Sequence, residues 1–167
     1  MSHRLTTAVR ISKTAKAVLR KTQSFPERAF DEHDDLGDIG VEPMLLALAM
    51  ELALKAWFVF DYDDPDIRGH DLSALFDRLK PESQKRLDAE FKASIVPMHP
   101  NLFFVDYGIR HILYQHRNAF IDWRYVHERK TMSFEHGAFE ATLVMVLKEF
   151  DKRYRTEPVK SVWQSSV

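Results

Sequence analysis

The chain has 167 residues, 45% of them apolar and 29% charged, with 12 Phe and 3 Trp; this is the composition of one globular domain with a sizeable core, and it excludes a disordered chain. There is no cysteine, which rules out a disulfide framework, a thiolate zinc site and a cysteine nucleophile, and the expected location is the cytoplasm. With a net charge of -1, any affinity for nucleic acid has to come from a local patch rather than from bulk charge.

The first element is basic. Arg4, Arg10, Lys13, Lys16, Arg20 and Lys21 occur without an acid among residues 1 to 22. Ala8, Ile11, Ala15 and Val18 recur at helical spacing, which predicts an amphipathic helix over about 3–22. Glu27, Asp31, Glu32, Asp34, Asp35 and Asp38, followed by Gly40, then read as a solvated loop. A second helix is expected from about Pro43 to Phe60, apolar on nearly every face, as in the centre of a bundle. Glu51 and Lys55 interrupt it as an i, i+4 ion pair with the acid first. The apolar run from Met44 to Phe60 therefore reads as a core helix that falls short of a membrane span.

Leu72, Leu75, Phe76 and Leu79 mark a short helix with Asp71 as its N-cap. Pro81 opens another through Leu87, Phe91 and Ile95, closed by Pro97 and Pro100. A long helix is predicted from near Asn101, carrying Ile109, Ile112 and Leu113. The last helix should run from about Ser133 to Tyr154 and turn Phe139, Leu143, Leu147, Phe150 and Tyr154 inward. No alternating strand pattern appears. The expectation is an all-α fold, an up-and-down bundle of four long helices plus short ones, forming one domain over 1–167 with its core at about 42–154 and a tail at 157–167.

Two short motifs do not survive their context. Asp61 and Asp63 form a DxD after an apolar run, but the run continues a helix where an aspartyl-phosphatase strand would be needed. As a calcium loop counted from Asp61, the same segment lacks Gly at position six, occupied by Asp66, and Glu at position twelve, occupied by Leu72. The eight His contain no HExxH, so neither a metal nor another cofactor is expected.

The segment from His116 to Glu128 places Arg117, Asn118, Asp122, Arg124, Tyr125, His127 and Glu128 among Phe120, Ile121 and Trp123. So many polar groups beside aromatic ones either bond to one another or line a cleft. One arrangement is an Arg–carboxylate network that ties the segment to Glu51.

Glu51-x-x-Leu54-Lys55, Gly69-His70-Asp71-Leu72 and Arg117-Asn118, in that order, resemble a HEPN domain (higher eukaryotes and prokaryotes nucleotide-binding) over roughly residues 42 to 150. The resemblance implies a bundle that dimerises, often beside a nucleotidyltransferase or antitoxin partner, and in many members a metal-independent ribonuclease. There an Arg, a polar neighbour and a His four to six residues later meet at the dimer interface. His can move the proton of a 2'-hydroxyl while Arg stabilises charge on the phosphate.

Arg117-Asn118 matches the start of that pattern, and Asp122 stands where the His would fall. A carboxylate is ionised at neutral pH and has no proton to give. The leading expectation is therefore a HEPN-like binding and dimerisation module for RNA, a nucleotide or a partner protein. Its binding residues would be Arg117, Arg124, Tyr125 and His127, with Glu51, Lys55 and His70 as a structural network. The alternatives are a ribonuclease that uses Arg117 with a nearby His, either His127 or the Arg110-His111…His116 set, and a scaffold without a nucleotide ligand. Catalytic candidates on the ribonuclease reading are Arg117, Asn118, Asp122 and His127.

Overall fold

A computed structural model describes residues 3–25, 41–99, 108–125 and 134–156. Among these residues every regular element is helical: α1 (His3–Gln23), α2 (Val41–Tyr62), α3 (Leu72–Asp77), α4 (Pro81–Glu90), α5 (Ile109–Gln115), α6 (Ala119–Arg124) and α7 (His136–Thr156). The all-α bundle expected from the sequence is the fold.

α1 lies along α2. Its buried stripe is Ala8, Ser12, Ala15, Leu19 and Thr22, while Ile11 and Val18 are only partly buried, on its shoulder. Small side chains at three of those five positions let the two backbones come close. α2 is buried on most of its circumference, from Leu46 to Asp61. It is 22 residues long with a hydropathy of 1.7 in its most apolar window, so by length and composition it could cross a membrane. That corrects the shorter span expected from the sequence. However, 67% of that window is buried inside the bundle, and its Glu51 and Asp61 are engaged by polar partners, as suits a core helix.

Trp57 is the pivot of the core. It is fully buried, its Nε1–H donates to the Val146 carbonyl of α7 at 3.2 Å, and Phe150 stands edge-on to both Trp57 and Phe60 at 5.9 Å. At the edge of the bundle, Lys16 donates to Asp151 at 2.6 Å and clips α1 to α7.

Local chemistry sets the ends of the elements. After α2, Asp63 takes a left-handed φ of 57°, a conformation that Asp tolerates. Gly69, at φ 108°, has a backbone that side chains rarely adopt. Asp71 caps α3 as expected, accepting the N–H of Ala74 at 2.9 Å. Pro81 opens α4, which runs on as a π-helical turn (Phe91–Ile95) and a 3-10 turn (Val96–Met98). Together these continue the helical run from Pro81 to Met98, ending between the two prolines expected to close it.

Of the long helix expected from Asn101, α5 is the described part; residues 100–107 lie outside the described residues, as do the acidic segment 26–40, His127, Glu128 and the tail 157–167. The last helix begins at His136, where its imidazole meets Glu42 at 2.8 Å, and ends at Thr156.

Candidate functional site

One buried ionic cluster among the described residues belongs to structure. The Asp61 carboxylate, at the C-terminal end of α2, accepts Ser83 Oγ at 2.8 Å, the Lys80 N–H at 2.9 Å and the Arg153 guanidinium at 2.7 Å. It thereby caps the start of α4 and pins the end of α7. Arg153 also bonds Ser83 and lies over the rings of Trp57 and Phe60. Asp61 is thus closed in and its oxygens are taken, in keeping with the rejection of the DxD motif.

A second carboxylate has a half-open neighbour. Glu51 is buried in α2, accepting Lys55 Nζ at Oε1, 2.7 Å away, and meeting His70 Nδ1 at Oε2, 2.8 Å away. An ionised carboxylate only accepts, so Nδ1 is the donor to Glu51, and Nε2 is left without a hydrogen bond among the described residues. The His70 side chain is 50% exposed and stacks on Phe120 of α6 at 5.3 Å, with 29° between the planes. Beside it, the Leu72 N–H donates to the Arg117 carbonyl at 3.0 Å, which fixes the α5–α6 turn against the start of α3.

The sequence reading takes Arg117 and Arg124 toward Glu51. In the structure the bonds of Glu51 go to Lys55 and His70, and both arginines lie on tyrosines. The Arg117 guanidinium sits 4.2 Å from the centre of the Tyr114 ring, and that of Arg124 sits 5.7 Å from Tyr125. Tyr114, Ile121 and Tyr125 are exposed. The α5–α6 corner is therefore a surface of aromatic planes with cations on them, joined to the His70–Phe120 stack.

Asn118 precedes α6 and accepts the N–H of Asp122 at 2.8 Å through its backbone carbonyl; its side chain makes no cap bond. Asp122 is partly buried on α6. Of the substitutes for a catalytic His, His127 lies outside the described residues. His116 is buried between Phe134, 4.7 Å away, and Phe139, 5.2 Å away, and its Nε2 has no hydrogen-bond partner among the described residues. Burial lowers its pKa to about 4, so at neutral pH it is an uncharged core ring out of reach of substrate. Arg110, the start of the Arg110-His111…His116 set, is bonded to Asp77 and Gln84.

Among the described residues no group of three or more His, Cys, Asp or Glu could hold a metal ion. The sequence signal for the Tyr114–Arg117 pair is its i, i+3 spacing. The His70–Phe120 stack has none, because it joins two separate elements. By fold the chain belongs with all-helical bundles. No family model matches it, and neither a curated protein nor a solved structure is significantly similar to it.

Proposed function

We propose that this chain is a HEPN-like binding and dimerisation module that engages RNA or a nucleotide through the α5–α6 corner, with Asp122 silent in catalysis. The observation that carries this reading is the exposed pairing of cations with aromatic rings, Arg117 on Tyr114 and Arg124 on Tyr125. Unpaired bases stack on such rings, and adjacent guanidinium groups meet the phosphates. A chain with almost no net charge needs a local patch of this kind. Dimerisation through the same exposed corner, a nucleotidyltransferase or antitoxin partner, and a cytoplasmic setting belong to the same reading.

The test is fluorescence anisotropy with a labelled single-stranded RNA over a range of salt concentrations. Arg117→Ala and Arg124→Ala should each weaken binding by roughly 5- to 50-fold and reduce the salt slope by about one. Wild-type affinity equal to that of the double variant would end the proposal. Sedimentation tests the dimer; a monomer at micromolar concentration would remove that part.

A second reading, a metal-independent ribonuclease, has one observation in its favour: His70 is oriented by Glu51 and keeps Nε2 open beside the Arg117 turn. It predicts RNA cleavage in EDTA that His70→Ala abolishes while the fold, followed by circular dichroism, persists.

A further inference from the structure

One face of α1 is not used by the bundle. Opposite its buried stripe of Ala8, Ser12, Ala15, Leu19 and Thr22 stand Arg10, Lys13, Arg20 and Lys21, all four exposed. At 3.6 residues per turn they fall within an arc of about 100° and along about 16 Å of helix axis. Thr14 and Ala17, which lie between them on the same exposed face, are small. The result is a ridge of cations with no bulky side chain in the way.

No acid offsets this charge. Residues 1–22 contain none, and the α7 acids that bond to α1 side chains meet its flank, where Asp151 takes Lys16 and Glu140 takes the Gln23 amide at 2.7 Å. Arg10, Lys13, Arg20 and Lys21 have no ion pair or side-chain hydrogen bond among the described residues. Such a row works against the helix. Arg10 and Lys13 are three residues apart, as are Lys13 and Lys16, and like charges at that spacing destabilise a helix. The buried stripe and the Lys16–Asp151 bond already hold α1 in place, so the outer cations add nothing to the packing. A polyanion laid along them would relieve the repulsion.

The rest of the helix selects among polyanions. A helix that lies on a membrane turns its apolar face to lipid, whereas the apolar face of α1 is packed on α2. Single strands are held by aromatic planes on which bases stack, and α1 contains no Phe, Tyr or Trp. A duplex needs neither, because its regular phosphate backbone takes Lys and Arg without contacts to the bases. We infer that the outer face of α1 is a docking surface for the phosphate backbone of a nucleic-acid duplex, engaged without regard to sequence. It is a site separate from the α5–α6 corner, whose ring planes suit unpaired bases, and it does not depend on that reading.

Fluorescence anisotropy of the full chain with a labelled RNA duplex, repeated over a range of salt concentrations, tests the surface. Log Kd should rise with log salt with a slope of about 3 to 4, from about 0.9 for each of four phosphates neutralised. Changing all four residues to Gln, a good helix former, should weaken binding by at least about tenfold at low salt and remove most of that slope. Lys13→Gln with Arg20→Gln, a milder change, should remove about half of it. Arg117→Ala with Arg124→Ala should leave duplex binding unchanged, so failure at this face and failure at the corner are told apart. The inference is overturned if the wild type does not bind the duplex, or if its salt slope survives the four changes in protein shown to be folded by circular dichroism. Retention on phosphatidylserine vesicles but not on the duplex would assign the face to a membrane instead. Duplex binding that appears only when the six acids from Glu27 to Asp38 are replaced by their amides would assign it to that segment of the chain itself.

Discussion

Glu51 and His70 are nineteen residues apart and meet at 2.8 Å, a buried carboxylate orienting a half-exposed imidazole. The same carboxylate holds Lys55, so it is shared between its own helix and the approach to α3. Glu51→Ala should cost on the order of 2 kcal/mol, because Lys55 and His70 lose an acceptor that water replaces only in part. Urea denaturation of Glu51→Ala, His70→Ala and the double variant gives the coupling energy. A coupling indistinguishable from zero would mean that the pair contributes geometry without stability.

Asp61 should be far less tolerant. Asp61→Asn removes the charge that matches Arg153, whose partly buried guanidinium lies beside Ser83 and over the rings of Trp57 and Phe60. Breaking one partner of a buried pair costs about 3–5 kcal/mol, and thermal unfolding should show it as a large fall in Tm. Asp61→Asn together with Arg153→Met should recover part of the loss. Failure of the pair to recover would place the cost in the cap of α4 instead.

Acid should weaken the fold through His116. Its folded pKa, about 4, lies below the ordinary 6.5, so the unfolded chain binds the proton more readily. The stability held by the neutral ring is complete above pH 6.5 and drains away as the pH falls toward 4. The loss should approach about 3 kcal/mol. Denaturation of wild type and His116→Leu at several pH values isolates it: the difference between them should change across that window and stay flat above it. Parallel curves from pH 7 to 4 would refute the assignment.

Asp122→His tests the silent position. The wild type should not cleave single-stranded RNA at a rate that depends on Asp122, since Asp122→Asn removes only a carboxylate with no proton to donate. Asp122→His places an acid–base group five residues after Arg117 and should give slow cleavage in EDTA. Wild-type cleavage that disappears in Asp122→Asn would show the carboxylate to be catalytic.

What could be read from the sequence is what lies within a turn or two of chain. The Asp71 cap, the Glu51–Lys55 pair and the apolar girth of α2 are local patterns, and all three are present. Of the stripe expected on α1, Ala8 and Ala15 are buried, while Ser12 and Leu19 are buried in place of Ile11 and Val18, which are only partly so. Arg153 as the counterion of Asp61 and the His70–Phe120 stack join elements distant in sequence, whereas His70 beside Glu51 is expected only through the family resemblance. No periodicity encodes them. The arginines of the α5–α6 corner were assigned to a carboxylate when a tyrosine three residues before Arg117 and another next to Arg124 were nearer.

The Asp61–Arg153 bond spans ninety-two residues, which gives synthesis of this chain an order. As the polypeptide leaves the ribosome, Asp61 and the indole of Trp57 emerge long before the guanidinium that neutralises one and covers the other. The Asp61 carboxylate stays without this counterion until nearly the whole of α7 has been made. A message cut short before codon 153 would then yield a product without its keystone, an open bundle for proteases to clear and not a shortened version of the same protein.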